Sequence, residues 1–154
     1  MYYVAVVGGA FCSDEEQQMA REVGSEVARR GGVVICGGGS GVMEAAAEGA
    51  ARAGGTVIGI LPGCSTGEGN PYLSFAIATG LGEARNAIIA RTADAVIAVG
   101  GEFGTLSEIA LALKMEKPVI GLKSWSIKSP GGLDSSMVRM QTPQEAVEYI
   151  FKKP

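Results

Sequence analysis

Apolar residues occur along the chain in short continuous runs rather than in alternation with polar ones. Uninterrupted runs of this kind are typical of strands covered on both faces, so each run predicts a buried strand. The runs are Tyr2–Val7, Val33–Cys36, Thr56–Ile60, Ala95–Val99 and Val119–Leu122, with a weaker one at Phe75–Ala78. Met137–Met140 predicts a further edge strand before the last helix.

Polar start signals and glycine stop signals separate these runs. Ser13-Asp14-Glu15-Glu16 has the spacing of a capping box and predicts a helix that reaches about Arg30. Thr142-Pro143-Gln144-Glu145 has the same spacing, with proline at the first helical position, and predicts the start of the final helix. Gly31-Gly32 and Gly54-Gly55 stand where a left-handed helix C-cap favours glycine. Alternating strands and helices predict one α/β domain over residues 1–154, a Rossmann-like, doubly wound parallel sheet in three α/β/α layers.

Composition narrows the function classes. The chain has 154 residues, of which 47% are hydrophobic and 19% charged, enough for a full core in one domain. A net charge of −3, without a cluster of Lys or Arg, argues against a nucleic-acid partner. The chain contains no histidine, which excludes a Ser-His-Asp triad and any histidine-based metal site or acid–base catalyst.

The N-terminal apolar run and the cysteines bear on location. The run ends at Gly8-Gly9, too short for a signal or a membrane segment, so we expect a cytoplasmic protein without a membrane partner. Cys12, Cys36 and Cys64 are odd in number and lack CxxC spacing, which favours small apolar residues over a disulfide framework or a metal site. A soft-metal or redox site is the alternative, if all three meet at one sheet edge.

Three glycine-rich turns stand where a predicted strand ends and a helix begins. The carboxyl edge of a parallel sheet is where open α/β folds bind ligands, and helix starts there favour anions such as phosphate. The first turn lacks GxGxxG and no Walker A lysine occurs, so an ordinary dinucleotide site and a P-loop are not indicated. The candidate phosphate-binding residues in these turns are Gly8, Gly9, Gly38, Gly39, Ser40, Gly100, Gly101, Gly104 and Thr105.

Two charged residues fall on predicted apolar helix faces. Arg85 shares a stripe with Ile88, Ile89 and Thr92, and it needs a carboxylate, phosphate or carbonyl partner, unless it extends to solvent at the edge. Helical spacing also places Glu108 on the apolar face of the helix predicted after the turn at 100–105. Its spacing from Thr105 fits a capping box, which is compatible with a second role toward a ligand in the same turn.

Three segments together carry a family resemblance. They are GGGSGVMEAAAEGA at 37–50, GEARNAI at 82–88 and GGEFGTLSEIALAL at 100–113. In order and spacing they resemble the LOG-like (SLOG) branch of Rossmann-like proteins. That branch includes the Lonely Guy cytokinin-activating phosphoribohydrolases, long labelled lysine decarboxylases, and the molybdenum cofactor carrier proteins.

The resemblance implies a small phosphorylated ligand and a homodimer or larger homo-oligomer. By position, the hydrolase glutamate falls on Glu108, the arginine on Arg85 and its neighbour on Asn86, with the phosphate turn at 100–105. The implied reaction is cleavage of the N-glycosidic bond of a nucleoside 5′-monophosphate to base and ribose 5-phosphate. No cofactor is required, no metal site is implied, and lysine decarboxylation is not the implied activity.

The chain departs from the hydrolase pattern in ways that support a second hypothesis. Glu102 stands beside the phosphate turn, and Glu83 and Asn86 stand where the hydrolases have His and Lys. These changes resemble the carriers, which hold a phosphorylated pterin without known turnover. The second hypothesis is therefore a non-catalytic carrier or sensor of a phosphorylated ligand, either a pterin of the molybdopterin type or a nucleotide. The loop at 61–74 could close over a ligand or be inert, and the segment 124–136 is a connecting loop or faces a partner.

Overall fold

The computed structural model describes residues 1–132 and 137–152. The strands are β1 (Tyr3–Gly8), β2 (Val33–Cys36), β3 (Thr56–Leu61), β4 (Phe75–Ala78), β5 (Ala95–Val99), β6 (Val119–Leu122) and β7 (Met137–Met140). The helices are α1 (Asp14–Arg29), α2 (Val42–Arg52), α3 (Asn86–Thr92), α4 (Phe103–Lys114) and α5 (Pro143–Lys152). Short 3-10 turns cover Thr66–Glu68 and Gly82–Arg85.

All seven strands form one parallel sheet in the order β4-β3-β2-β1-β5-β6-β7. From β1 the chain first builds outward through β2, β3 and β4, and then returns to place β5 on the other side of β1. The chain therefore leaves β1 toward one edge of the sheet and leaves β5 toward the other edge. This reversal confirms the predicted doubly wound parallel α/β sheet.

Two hydrophobic cores lie on the two faces of the sheet. Val4 and Val6 of β1 pack in one core with residues of α1, α2 and α5. Ala5 and Val7 pack in the other with residues of α3 and α4, because successive side chains of a strand point to opposite faces. β1, β2, β5 and β6 thus have helices on both faces, which explains why they are continuously apolar.

Most predicted boundaries agree with the structure to within a residue. The strand predicted at Tyr2–Val7 lies at Tyr3–Gly8, and the other predicted strands agree or end one residue later. Ser13 forms the predicted capping box with Glu16. Gly31 and Gly54 have φ of 76° and 77° after α1 and α2, the left-handed conformation expected at a helix end.

The prediction of three small apolar cysteines is wrong for Cys64, whereas Cys12 is partly buried and packs against one of the two cores. Cys36, at the end of β2, is buried, and burial raises the pKa of its thiol to about 11. Cys64 is exposed and Cys12 is half-buried, because both lie in loops beyond the strand ends. Within the described residues no group of three or more His, Cys, Asp or Glu side chains is arranged as a metal site.

None of the helices in residues 1–132 and 137–152 combines the length and the apolar character that a membrane span needs.

Candidate functional site

A cleft of about 420 Å³ opens at the carboxyl ends of β1 and β5, where the strand order reverses. One wall is the loop after β1, and the other is the start of α4 after β5. A volume of this size is within the range of small-molecule sites, and the position is the one at which open parallel sheets bind ligands. Seven predicted site residues line the cleft: Gly8, Gly9, Arg85, Asn86, Gly104, Thr105 and Glu108.

The turn after β5, at Gly100 and Gly101, lies next to the cleft without lining it. Gly100 and Gly101 have φ of 55° and 104°, and neither belongs to the residues that line the cleft. A Cβ on Gly101 would lie 2.4 Å from the side chain of Thr105, so only glycine fits between the turn and the first turn of α4. These two glycines set the path of the backbone, while Gly104 and Thr105 face the space a ligand would occupy.

The predicted capping box between Thr105 and Glu108 is wrong. α4 begins three residues earlier than that box requires, at Phe103, with Glu102 in the N-cap position and no side chain capping the helix. Glu108 is therefore more than one turn into the helix, too far along to reach back to the helix start. Its carboxyl is free to serve the cleft instead.

Glu108 is a buried acid in the floor of the cleft. It is 9% exposed, and burial raises the pKa of its carboxyl to about 7, although the positive charge of Arg85 acts to lower that pKa. Desolvation of the charged form outweighs the attraction of one nearby cation. Near neutral pH the site thus holds comparable amounts of the acid and the carboxylate, a condition suited to proton transfer.

Arg85 reaches into the cleft from the end of the 3-10 turn that precedes α3. Its Nη1 donates a hydrogen bond to Oδ1 of the buried Asn86, and a Cβ on Gly37 would lie 3.0 Å from Nη2. Its Nε is buried without a hydrogen-bond partner among the described residues. Asn86 thus orients the guanidinium, and one donor of this group lacks an acceptor.

The predicted helical stripe around Arg85 is only partly correct. α3 starts one residue after Arg85 and has two turns, so the stripe does not continue through Arg85. Ile89 is buried, whereas Ile88 and Thr92 are exposed. No carboxylate of the described residues lies within 4.0 Å of the guanidinium as an ion pair, so an internal acid does not satisfy Arg85.

The second glycine turn lines a recess of about 270 Å³ that adjoins the cleft. Gly38, Gly39 and Ser40 lie there, and Met43 and Arg85 border both spaces. The Ser40 hydroxyl donates to the carbonyl of Ala10 at 3.2 Å, so it connects the second turn to the first. The second turn thus lies beside the first, and its recess is continuous with the cleft at Met43 and Arg85.

The loop at 61–74 is fastened to this second turn. The backbone N–H of Asn70 donates to the carbonyl of Gly38 at 2.8 Å, and its side-chain amide donates to the carbonyl of Gly39 at 3.1 Å. Glu68 lines the recess from the same loop. The loop is therefore a wall of the recess in this conformation. Of the segment predicted at 124–136, residues 133–136 lie outside the described part.

Carboxylates outnumber cations in the cleft. Among the residues that the structure describes, Glu83, Glu102 and Glu108 line it together with one cation, Arg85. Glu102 is exposed, and its carbonyl accepts a hydrogen bond from the Trp125 indole N–H at 3.2 Å. An anionic group would be held by Arg85 and by backbone N–H groups rather than by a cluster of basic side chains.

Two aromatic residues of the cleft were not predicted from the sequence. Phe11 and Phe103 line it and are 93% and 80% exposed. A signal for them was present, since each stands two residues after a glycine pair at the end of a strand, in the pattern Gly-Gly-x-Phe. Their exposure could not be predicted from that pattern.

Comparisons with known proteins agree with this geometry. The sequence profile of the SLOG cluster4 family matches residues 1–148. An uncharacterized protein of Archaeoglobus fulgidus is 44% identical over 152 residues, 96% of this chain and 93% of its own. The molybdenum cofactor binding protein of Rippkaea orientalis is 36% identical with a TM-score of 0.88, over 97% of this chain and 95% of that one. The molybdenum cofactor carrier protein of Chlamydomonas reinhardtii is 34% identical with a TM-score of 0.84, over 98% and 96%.

Proposed function

Because the chain belongs to the SLOG cluster4 family, we propose that it is a binding or carrier protein for a small phosphorylated ligand, with a pterin of the molybdopterin type as its cargo. Two of the structural neighbours are a molybdenum cofactor binding protein and a molybdenum cofactor carrier protein, and each aligns with nearly the whole chain. A cytoplasmic location, the absence of a metal site and the absence of a nucleic-acid partner stay predictions of the sequence.

The observation that carries this proposal is the unsatisfied donor of Arg85. A buried N–H without a partner costs roughly 1–3 kcal/mol, so a small movement of the Arg85 side chain that brings this N–H to a ligand oxygen in the cleft would be favourable. A phosphate oxygen is such an acceptor, and the helix start at Gly104 and Thr105 offers backbone N–H groups to the same anion. The cleft is large enough for a ring system beyond the phosphate.

The test is whether a pterin co-purifies with the protein when it is expressed in a host that makes the molybdenum cofactor. The purified protein and its Arg85→Ala variant are denatured and oxidised, and the released pterin is measured by fluorescence and mass spectrometry. We expect pterin approaching one per protomer with the wild type, and several-fold less with Arg85→Ala. Arg91→Ala, an exposed arginine on α3, is the control and should match the wild type. Wild-type protein that binds neither a pterin nor a nucleotide when these are added in vitro would refute the proposal.

A second candidate function is hydrolysis of nucleoside 5′-monophosphates, and the observation that favours it is Glu108. A carboxyl with a pKa near 7 in the floor of a cleft can accept a proton from water and return one to a leaving base. Water would add to C1′ of the ribose, the C1′–N bond would break, and the base would leave protonated, with ribose 5-phosphate as the other product. Arg85 would hold the phosphate or stabilise the developing charge.

The two candidates are separated by turnover. The protein is incubated with a panel of nucleoside 5′-monophosphates, and free base and ribose 5-phosphate are measured by chromatography. A carrier releases no base above the rate without protein. Release that is lost in both Glu108→Gln and Arg85→Ala would favour the hydrolase and overturn the carrier proposal.

We also propose that the protein is a homodimer or a larger homo-oligomer. Strand β4 lies at the sheet edge, and its Phe75 and Ile77 are 63% and 48% exposed. They pair in register with Ile58 and Ile60 on the face of the sheet that carries α3, which is too short to cover them. Exposed apolar side chains grouped in this way are typical of a protein interface, and a second copy of the same face would bury them.

A further inference from the structure

Phe11 and Phe103 lie on opposite walls of the cleft. Phe11 belongs to the loop after β1, and Phe103 is the first residue of α4 after β5. β1 and β5 are neighbours in the sheet, with Gly8 in register with Val99, so the two Gly-Gly-x-Phe segments leave the sheet side by side. The strand order reverses between them, which means that the two connections diverge and leave the space between the phenylalanines open.

Both phenyl rings are exposed far more than aromatic side chains usually are. At 93% and 80% exposure they contribute almost nothing to the folded core, and leaving them in water forgoes the free energy that burial would provide. They differ from the exposed Phe75 and Ile77, which lie on the sheet face, because these two line a cleft. A ligand group is the partner that this position makes available.

Phe103 has support on one side only. Its ring packs against Trp125 with 5.9 Å between the centroids and 34° between the planes, and the Trp125 indole N–H donates to the carbonyl of Glu102 at 3.2 Å. This packing limits the movement of the Phe103 ring although the ring is exposed. A ring that is held on one side is ready to stack on the other without a large loss of side-chain entropy.

We infer that Phe11 and Phe103 hold a planar heteroaromatic ring between them, with the phosphate of the same ligand directed toward Arg85. This inference rests on the proposed function, which supplies the phosphate, and it adds the class of group that lies outside the phosphate site. The polar floor formed by Arg85, Asn86 and Glu108 lies on the other side of the cleft from solvent. A pterin and a purine both have a flat ring large enough for two phenyl groups, so the clamp selects for shape.

The experiment compares two probes that share a ribose 5-phosphate group, of which only one carries a heteroaromatic base. GMP and ribose 5-phosphate are titrated by calorimetry into the wild type and into the Phe11→Ala, Phe103→Ala, Phe11→Tyr and Phe103→Tyr variants. Each alanine variant should bind GMP roughly 5- to 150-fold more weakly, the range that stacking of one base on one aromatic side chain contributes. Affinity for ribose 5-phosphate should change less than about twofold, and the tyrosine variants should keep the wild-type affinity for GMP.

The fluorescence of Trp125 gives a second readout, since it is the only tryptophan in the chain. GMP should change its emission in the wild type, while ribose 5-phosphate should not. Unchanged affinity for GMP in both alanine variants overturns the clamp and leaves the phosphate proposal intact. Alanine variants that bind GMP normally but sediment as smaller species assign the two rings to a protein interface and also overturn it. Wild-type protein that binds neither GMP, ribose 5-phosphate nor a pterin monophosphate refutes both proposals.

Discussion

The guanidinium of Arg85 acts to lower the pKa of Glu108, yet burial of that carboxyl is the larger influence and leaves its pKa at about 7. The two residues are 23 positions apart in the sequence and enter the cleft from different elements, the 3-10 turn before α3 and the body of α4. A buried acid and an incompletely satisfied cation thus share one cleft. The pairing determines how stability and ligand affinity should respond to pH and to substitution.

Stability should fall as the pH rises through the titration of Glu108. Between about pH 4.5 and about pH 7 the unfolded chain loses this proton while the folded chain keeps it, so the folded state binds more protons and stability decreases with pH. A pKa raised from 4.5 to about 7 corresponds to a contribution of about 3 kcal/mol, lost by about pH 8. Urea unfolding at pH 5 and pH 8 and at one protein concentration measures it, because association would otherwise shift the midpoint.

The Glu108→Gln variant isolates this contribution. It lacks the titration, so its free energy of unfolding should decrease by about 3 kcal/mol less than that of the wild type between the two pH values. Glu145→Gln, at an exposed position on α5, should follow the wild type. Equal pH dependence in wild type and Glu108→Gln would mean that the carboxyl is ionised throughout, contrary to its burial.

Removal of Arg85 should weaken the binding of phosphorylated ligands. A charge-assisted hydrogen bond contributes about 1.5–3 kcal/mol, so Arg85→Ala should bind ribose 5-phosphate roughly 10- to 150-fold more weakly in calorimetry. Arg85→Lys keeps the charge but loses the planar donors, so an intermediate affinity is expected. Arg91→Ala on the exposed surface of α3 is the matched control. If Arg85→Ala binds as tightly as the wild type, the phosphate lies elsewhere.

Alanine at two neighbouring glycines should have opposite effects on stability. Gly101→Ala places a Cβ 2.4 Å from Thr105 in a backbone with φ of 104°, which should cost roughly 1–3 kcal/mol or more and shift the start of α4. Gly104 lies inside α4, where a Cβ meets nothing within 4 Å, so Gly104→Ala should be neutral or stabilising by up to about 1 kcal/mol. Thermal unfolding of both variants measures the contrast, and equal destabilisation would contradict it.

A polar residue on the exposed face of β4 should change the mass of the protein in solution. Phe75→Ser combined with Ile77→Ser removes the apolar surface that a second copy would bury, so the variant should sediment as a smaller species than the wild type. Phe11→Ser removes an even more exposed aromatic ring from the cleft, and it should leave the mass unchanged. A wild type that is monomeric at all concentrations would rule out the proposed assembly.

Local patterns in the sequence were sufficient for the fold. Continuous apolar runs gave the strands to within a residue, the Ser13 capping box gave the start of α1, and the left-handed Gly31 and Gly54 marked helix ends. Each of these features depends on residues close together in the chain, and the alternation of strand and helix leaves few topologies open. The sequence likewise indicated a phosphate ligand at one sheet edge, together with Arg85 and Glu108.

Only the tertiary structure decided how those residues are used. It places Gly38, Gly39 and Ser40 in a recess that adjoins the main cleft. It also shows that Glu108 does not cap α4, and it brings Phe11 and Phe103 to opposite walls. Exposure, pKa and an unsatisfied donor depend on which distant segments pack around a group, and strand order sets that packing. A pattern of residues within a single helix or strand therefore does not show how exposed a side chain is, what its pKa is or whether its donors are satisfied.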